Sequence, residues 1–253
     1  MVTTAPHPTE TATPTQPAIP QYSLRKILGV WAAAALPMAA LSWIAAPILA
    51  DHLGGPSPLP RALLLTLTGG LIWQFVLVVV LLRKELGTLS WSAVKPALWL
   101  EAPPRKAWLI FPILILGFGA EELVPEIHHA VSRDFATFLD SHAGHVLFSG
   151  SWSWFALIVT LAVFNTVLGE ELLFRGLLLP RMNGVFGKRD WLANGVLFGT
   201  YHLHMPWAIP AALLDTLFIS YPARRFRSAW IGIAVHSVQS VFVILAVLAL
   251  VVG

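Results

Sequence analysis

Apolar runs at roughly 27–50, 62–82, 107–120, 152–174, 191–205, 207–222 and 229–252 dominate the sequence, the third of them short. A bilayer core about 30 Å thick takes about 20 helical residues to cross, and in lipid each backbone polar group must be satisfied within the protein. The runs therefore predict an all-α, polytopic transmembrane bundle of about seven spanning helices. Only 11% of residues are charged against 57% apolar, where an ordinary soluble domain carries about 25% charge. Within 253 residues such a bundle leaves no room for a second, soluble domain. Residues 1–20, "MVTTAPHPTETATPTQPAIP", hold too little apolar surface to order themselves and are expected to be a flexible tail. The membrane domain then occupies 21–253, and its first apolar run is expected to stay as an anchor, because the start lacks a signal peptide's basic and apolar regions.

Basic residues cluster in every second connection: Arg25 and Lys26, then Arg83 to Lys106, then Arg175 to Arg189, then Arg224 to Arg227. The alternate connections hold Asp51, His52 and Arg61, an acidic and His-rich stretch from Glu121 to His145, and the nearly uncharged "HLHMP". By the positive-inside rule the N-terminus is cytoplasmic and the C-terminus external. Segment 85–104 is too broken by proline and charge to span. It is expected to lie along the cytoplasmic interface with Trp91 and Trp99 as anchors. A net charge of +3, divided among short clusters, sets topology and gives no nucleic-acid surface. The absence of cysteine removes thiolate metal sites and cysteine nucleophiles.

Against this background "GEELLFRG", residues 169–176, places Glu170, Glu171 and Arg175 at the end of an apolar run. An intramembrane charge costs roughly 2.5–3.5 kcal/mol even on insertion scales, and so reads first as functional. Glu171 and Arg175 are i,i+4 neighbours in the favourable order. Glu170 points about 100° away and need not be consumed by that pair. The plainer account is a charged helix end emerging into cytoplasmic water. Two histidines weigh against it. Counted inward at about 1.5 Å per residue, Glu170 lies ~16 Å from Arg181, His202 ~18 Å from Asp190 and His236 ~13 Å from Arg227. One carboxylate and two imidazoles reach similar depth on three segments, which predicts a shared polar cavity open toward the cytoplasmic side. A carboxylate in a partly dry pocket suits a general base for water. The histidines can stabilise an oxyanion or ligate a metal. Glu170, His202 and His236 also match a three-ligand catalytic zinc pattern with an open water position.

The motifs "EELLFR", "FGTYH" and "HSVQS" resemble, in order, the E-E-x-x-x-R, F-x-x-x-H and H-x-x-x-N/D motifs of the CPBP intramembrane proteases, the CAAX protease and bacteriocin-processing (Abi) family. All three fall within 152–252, which the resemblance marks as the catalytic core. It implies an intramembrane endopeptidase of the bacterial cytoplasmic membrane, with membrane lipid around it and a peptide or protein substrate. It further implies that Glu170 activates water, that His202 and His236 orient it or stabilise the oxyanion, and that Glu171 and Arg175 support the site. Ser240 stands where the family usually has Asn or Asp, and can donate one hydrogen bond without the amide's fork. The family contains both metalloproteases and metal-free glutamate enzymes. Zinc is thus one candidate cofactor and none the other. The same residues also fit a non-catalytic membrane scaffold or immunity-type protein with a decayed site, and, less well, a proton-coupled transporter.

Among the other polar residues, Glu126, His128, His129, His142 and His145 form a second metal candidate on the external side. Asp215, mid-run, needs a partner or a cavity. His204 is expected to point nearly opposite to His202, and Asn165 and Asn194 to bond between helices. Most of the 11 tryptophans flank the runs as interface anchors.

Overall fold

The computed structural model describes residues 19–124 and 131–253. The Thr/Pro-rich start up to residue 18, and Glu126, His128 and His129 of the second metal candidate, lie outside the described residues. Every regular element among the described residues is helical. Helix α1 runs over Leu24–His52, and the Ser23 hydroxyl caps it by accepting the Lys26 N–H, one of the donors a helix start leaves unpaired. Helix α2, Pro58–Leu86, starts on a proline and ends on Gly87 at φ 68°, the asymmetry that proline's fixed φ and glycine's left-handed freedom produce. Helix α3 is Phe111–Gly119, α4 is Trp152–Arg181, α5 is Asp190–Tyr201 and α6 is Ala229–Val252.

Among the described residues α1, α2, α4 and α6 are each long and apolar enough to cross a bilayer alone. The remaining apolar runs make shorter elements. α5 has 12 residues, about 18 Å of helix. The run after it is broken after Ile209–Ala212 and resumes as one helix over 215–226, π-wound over Thr216–Ser220. Pro210 sits in the first turn of its short piece, where a missing N–H is tolerated. Residues 190–226 therefore form a hairpin that enters the bundle and returns, its two ends tied by Arg224 Nε on Asp190 Oδ2 at 2.6 Å. Broken helix at membrane depth is tolerated where protein surrounds it. Here Tyr201 and Phe198 are fully buried against Met38 of α1, Leu71 of α2, Phe174 of α4 and Ile233 of α6.

Segment 85–104 does not span, as expected, and Trp91 is exposed. Residues 98–101, however, are docked on the start of α6. The Ala229 N–H donates to the Trp99 carbonyl at 2.8 Å, Trp230 Nε1 to Leu100 at 2.8 Å and Ser228 Oγ to Glu101 at 2.7 Å. These bonds hold Trp99 at φ 50°, a left-handed conformation costly for a side chain of this bulk.

Arg181, counted in the sequence among the solvent-facing basic residues, is fully buried. Its Nε donates to Glu85 Oε2 at 2.9 Å, and its Nη1 donates to the carbonyls of Ala97 at 3.0 Å and Leu177 at 2.9 Å. Tyr22 also hydrogen-bonds Glu85. Burial, with the Glu85 carboxylate beside it, raises the Tyr22 phenol above its usual range, so it remains a donor. Removing one partner of a buried pair typically costs about 3–5 kcal/mol. Glu85→Ala should accordingly lower the melting temperature in detergent sharply, whereas Glu101→Ala, in the exposed Lys95 pair, should leave it nearly unchanged. Thermal unfolding of the two variants side by side checks this.

Candidate active site

Helix α4 changes its winding where the acidic motif lies. Phe164–Gly169 and Leu172–Leu178 are π-helical, on either side of Glu170 and Glu171, and such bulges occur often at functional sites. Gly169 is forced by this path. A Cβ there would stand 2.4 Å from the Phe164 carbonyl oxygen and 3.2 Å from that of Leu71 in α2. The wide turns deliver both carboxylates to the interior, where Glu171 is fully buried and Glu170 is 3% exposed.

Glu171 Oε1 accepts from Arg175 Nη1 at 2.9 Å, the pairing the spacing predicts. The Arg175 guanidinium lies 3.9 Å from the centre of the Phe198 ring, a cation–π contact that also excludes water. The second partner of Glu171 was not foreseen. His236 Nδ1 stands 3.2 Å from the same Oε1, so the proton between them belongs to Nδ1 and the ring is left with Nε2. α6 can come this close because residue 232 is glycine. A Cβ on Gly232 would lie 2.2 Å from Glu171 Oε2 and 3.0 Å from Ile219 Cγ2.

His202 closes α5. Its Nδ1 is 3.1 Å from the Phe198 carbonyl, which can only accept, so here too Nδ1 carries the proton and Nε2 is the remaining atom. Glu170 lies beside the Tyr201 hydroxyl, and that hydroxyl accepts from Gln74 Nε2 of α2 at 2.6 Å. Gln74 and Tyr201 are both fully buried. Neither was singled out from the sequence. The signal for Gln74 was present, since it is a lone amide within the apolar run 62–82, and intramembrane polar groups rarely lack a task.

Glu170, His202, His236 and Ser240 line one cavity of about 320 Å³ together with Asn165 and Asp215. The residues matched in depth thus face one cavity. Asp215 is 4% exposed. Asn165 faces this cavity, whereas Asn194 bonds between elements, donating to Phe174 O at 2.8 Å and accepting from Ser220 Oγ at 3.2 Å. The direction of the cavity differs from expectation. It extends past Leu71, Leu67 and Leu64 to Pro60, Ser132, Arg133 and Phe138, toward the end of α2 opposite Arg83 and Lys84. The basic end is filled instead by the Glu85–Arg181 pair and the docked residues 98–101.

The zinc arrangement of Glu170, His202 and His236 does not fit this geometry. Among the described residues no three His, Asp or Glu side chains lie close enough to hold a metal ion.

The segment that builds this site, from α4 through most of α6, is also the segment that matches a known family. Residues 152–242 match the Rce1-like family model. Its description is type II CAAX prenyl endopeptidase Rce1-like, in agreement with the resemblance of the three motifs. No curated protein and no solved structure matches the chain. Four helices able to cross a bilayer and the Rce1-like match together support an integral membrane protein that carries a segment similar to a peptidase family. The match leaves out α1 and α2, and with them Gln74.

The close approach at residue 232 gives a direct check of the Glu171–His236 contact. Gly232→Ala drives a methyl into the carboxylate and should lower both the melting temperature and any activity. Gly29→Ala, where nothing lies within 4 Å of the new methyl, should be neutral or stabilising by up to about 1 kcal/mol. Thermal unfolding of both variants in one detergent separates a local clash from a general intolerance of alanine in these helices.

Proposed function

We propose that the chain is an intramembrane endopeptidase in which Glu170 is the general base for an attacking water. The observation that carries this reading is the single cavity lined by Glu170, His202, His236 and Ser240. In it His202 Nε2 accepts a hydrogen bond from the water and orients it. Glu170 removes a proton as the water oxygen bonds to the scissile carbonyl carbon. His236 in its imidazolium form, with Nδ1–H held by Glu171, donates from Nε2 to the oxyanion, and the Ser240 hydroxyl supplies a second donor. Collapse of the tetrahedral intermediate breaks the C–N bond, and Glu170 returns its proton to the leaving amine. Gln74 and Tyr201 hold the Glu170 carboxylate in position. The apolar arm of the cavity takes the residues flanking the scissile bond, so the substrate is a peptide or protein segment presented within the membrane.

General acid–base groups contribute about 10²–10⁴ in rate. Glu170→Gln should therefore abolish measurable cleavage of a quenched peptide library in detergent while leaving yield and melting temperature near wild type. Glu171→Gln should reduce both, because it loosens Arg175 and His236 together. Equal rates for wild type and Glu170→Gln on a verified substrate would remove the assignment. Parallel reactions with chelator and with added zinc test metal dependence.

The residue at 240 separates a working site from a relic. With a donating hydroxyl, Ser240→Ala should lose on the order of 10²–10³ in turnover, as single oxyanion donors do, and Ser240→Asn should preserve or raise it. A decayed site gives an inactive wild type, an indistinguishable Ser240→Ala, and activity only in Ser240→Asn. Initial rates at matched folded concentration decide between them.

A further inference from the structure

His204 belongs to the same cavity as the proposed machinery, although the motifs do not include it. On a continuing α-helix it would point some 200° from His202. α5 instead ends at Tyr201, His202 has ψ 35°, and residues 202–204 form a single 3₁₀ turn. The turn brings the two imidazoles together, stacked with centroids 5.5 Å apart and planes 27° from parallel. The Tyr201 ring lies 5.4 Å from His204 on the tilted side. Two side chains of α1 fix the backbone of this turn. Ser42 Oγ donates to the His204 carbonyl at 3.0 Å, and Trp43 Nε1 donates to that of Leu203 at 2.8 Å.

The ring of His204 is thus immobilised, 7% exposed, and turned to the cavity. Its Nδ1 has no hydrogen-bond partner of good geometry among the described residues; the Tyr201 backbone is the polar group beside it. That nitrogen is sealed inside the protein, so the ring's other nitrogen, Nε2, which no hydrogen bond engages among the described residues, is the one left for an occupant with hydrogen-bonding groups. A peptide backbone offers a donor and an acceptor at every residue, so it can pair with either tautomer of a neutral histidine. We infer that His204 is a further substrate-contacting residue, hydrogen-bonding the peptide main chain beside the scissile bond and next to His202. This inference rests on the peptidase reading above. It assigns His204 to binding and leaves the chemistry to Glu170, His202 and His236.

Two substitutions separate this role from a structural one. His204→Phe keeps the stacked ring and removes both nitrogens. His204→Asn keeps a hydrogen-bonding group and removes the ring. KM and kcat would be measured on one defined cleaved peptide. Affinity for the same peptide would be measured by fluorescence polarisation with each substitution placed in the Glu170→Gln background. His204→Phe should raise KM and weaken that affinity by about tenfold, the value of one hydrogen bond, with kcat and melting temperature held. His204→Asn should retain most of the affinity. Unchanged KM and affinity in His204→Phe would overturn the inference. So would a pattern in which His204→Phe behaves as wild type while His204→Asn loses stability and activity together, since that marks the ring as packing. A wild type that cleaves, is silenced by Glu170→Gln and ignores His204→Phe overturns this inference alone. A wild type that neither cleaves nor binds peptide overturns the peptidase reading as well.

Discussion

A carboxylate with no exposure to solvent, Glu171, is the constraint around which the interior is arranged. Taking an ion that far from water costs several kcal/mol even after relaxation, and each neighbouring element contributes something that offsets the loss. α4 supplies Arg175 one turn on. α5 supplies the Phe198 face that covers the guanidinium. α6 supplies Gly232, which makes room, and His236, which shares Oε1. The pairs are not independent. Because Arg175 and His236 meet the same oxygen, the position of one fixes the position of the other, and α4 and α6 are locked in register by a single functional group, with α5 packed on the guanidinium. Glu170, the next residue on α4, is left facing the cavity.

Much of this was legible before any coordinates. The apolar runs gave the all-α membrane class, and the matched depths of Glu170, His202 and His236 placed them at a common level. The i,i+4 spacing gave the Glu171–Arg175 pair. What was not legible follows from two physical causes. The first is that periodicity arguments assume one helix type. π turns on both sides of Glu170, and a 3₁₀ turn after Tyr201, change which residues share a face, so His204 returned to the cavity from which a regular helix would have excluded it. The second is that a single sequence carries no information on which helices touch. Nothing in it could assign His236 to Glu171, bring Gln74 to Tyr201, or turn Arg181 from a topology signal into the buried partner of Glu85. The direction of the cavity was misjudged for the same reason, because it depends on what closes the basic end of the bundle.

The polar groups lie at the inner end of a cavity whose other walls are Leu64, Leu67, Leu71, Ile158 and Leu161. Electrostatic interactions strengthen where water is excluded, which favours a pre-arranged set of donors over a solvated one. It also means that orphaned polar atoms in such a wall carry a full desolvation cost. The Gln74 amide N–H and the Tyr201 hydroxyl meet theirs in each other, while His202 and His236 each keep one ring nitrogen for whatever enters.

The bonds from Ser42 and Trp43 to the 203–204 turn, and from Gln74 to Tyr201, come from helices that precede the family segment in the chain. The ribosome delivers α1 and α2 before α4, so the side chains that anchor this turn precede it in synthesis. Residues 152–242 grafted alone onto another membrane scaffold would carry the motifs, yet lack the anchors that shape the turn bearing His202.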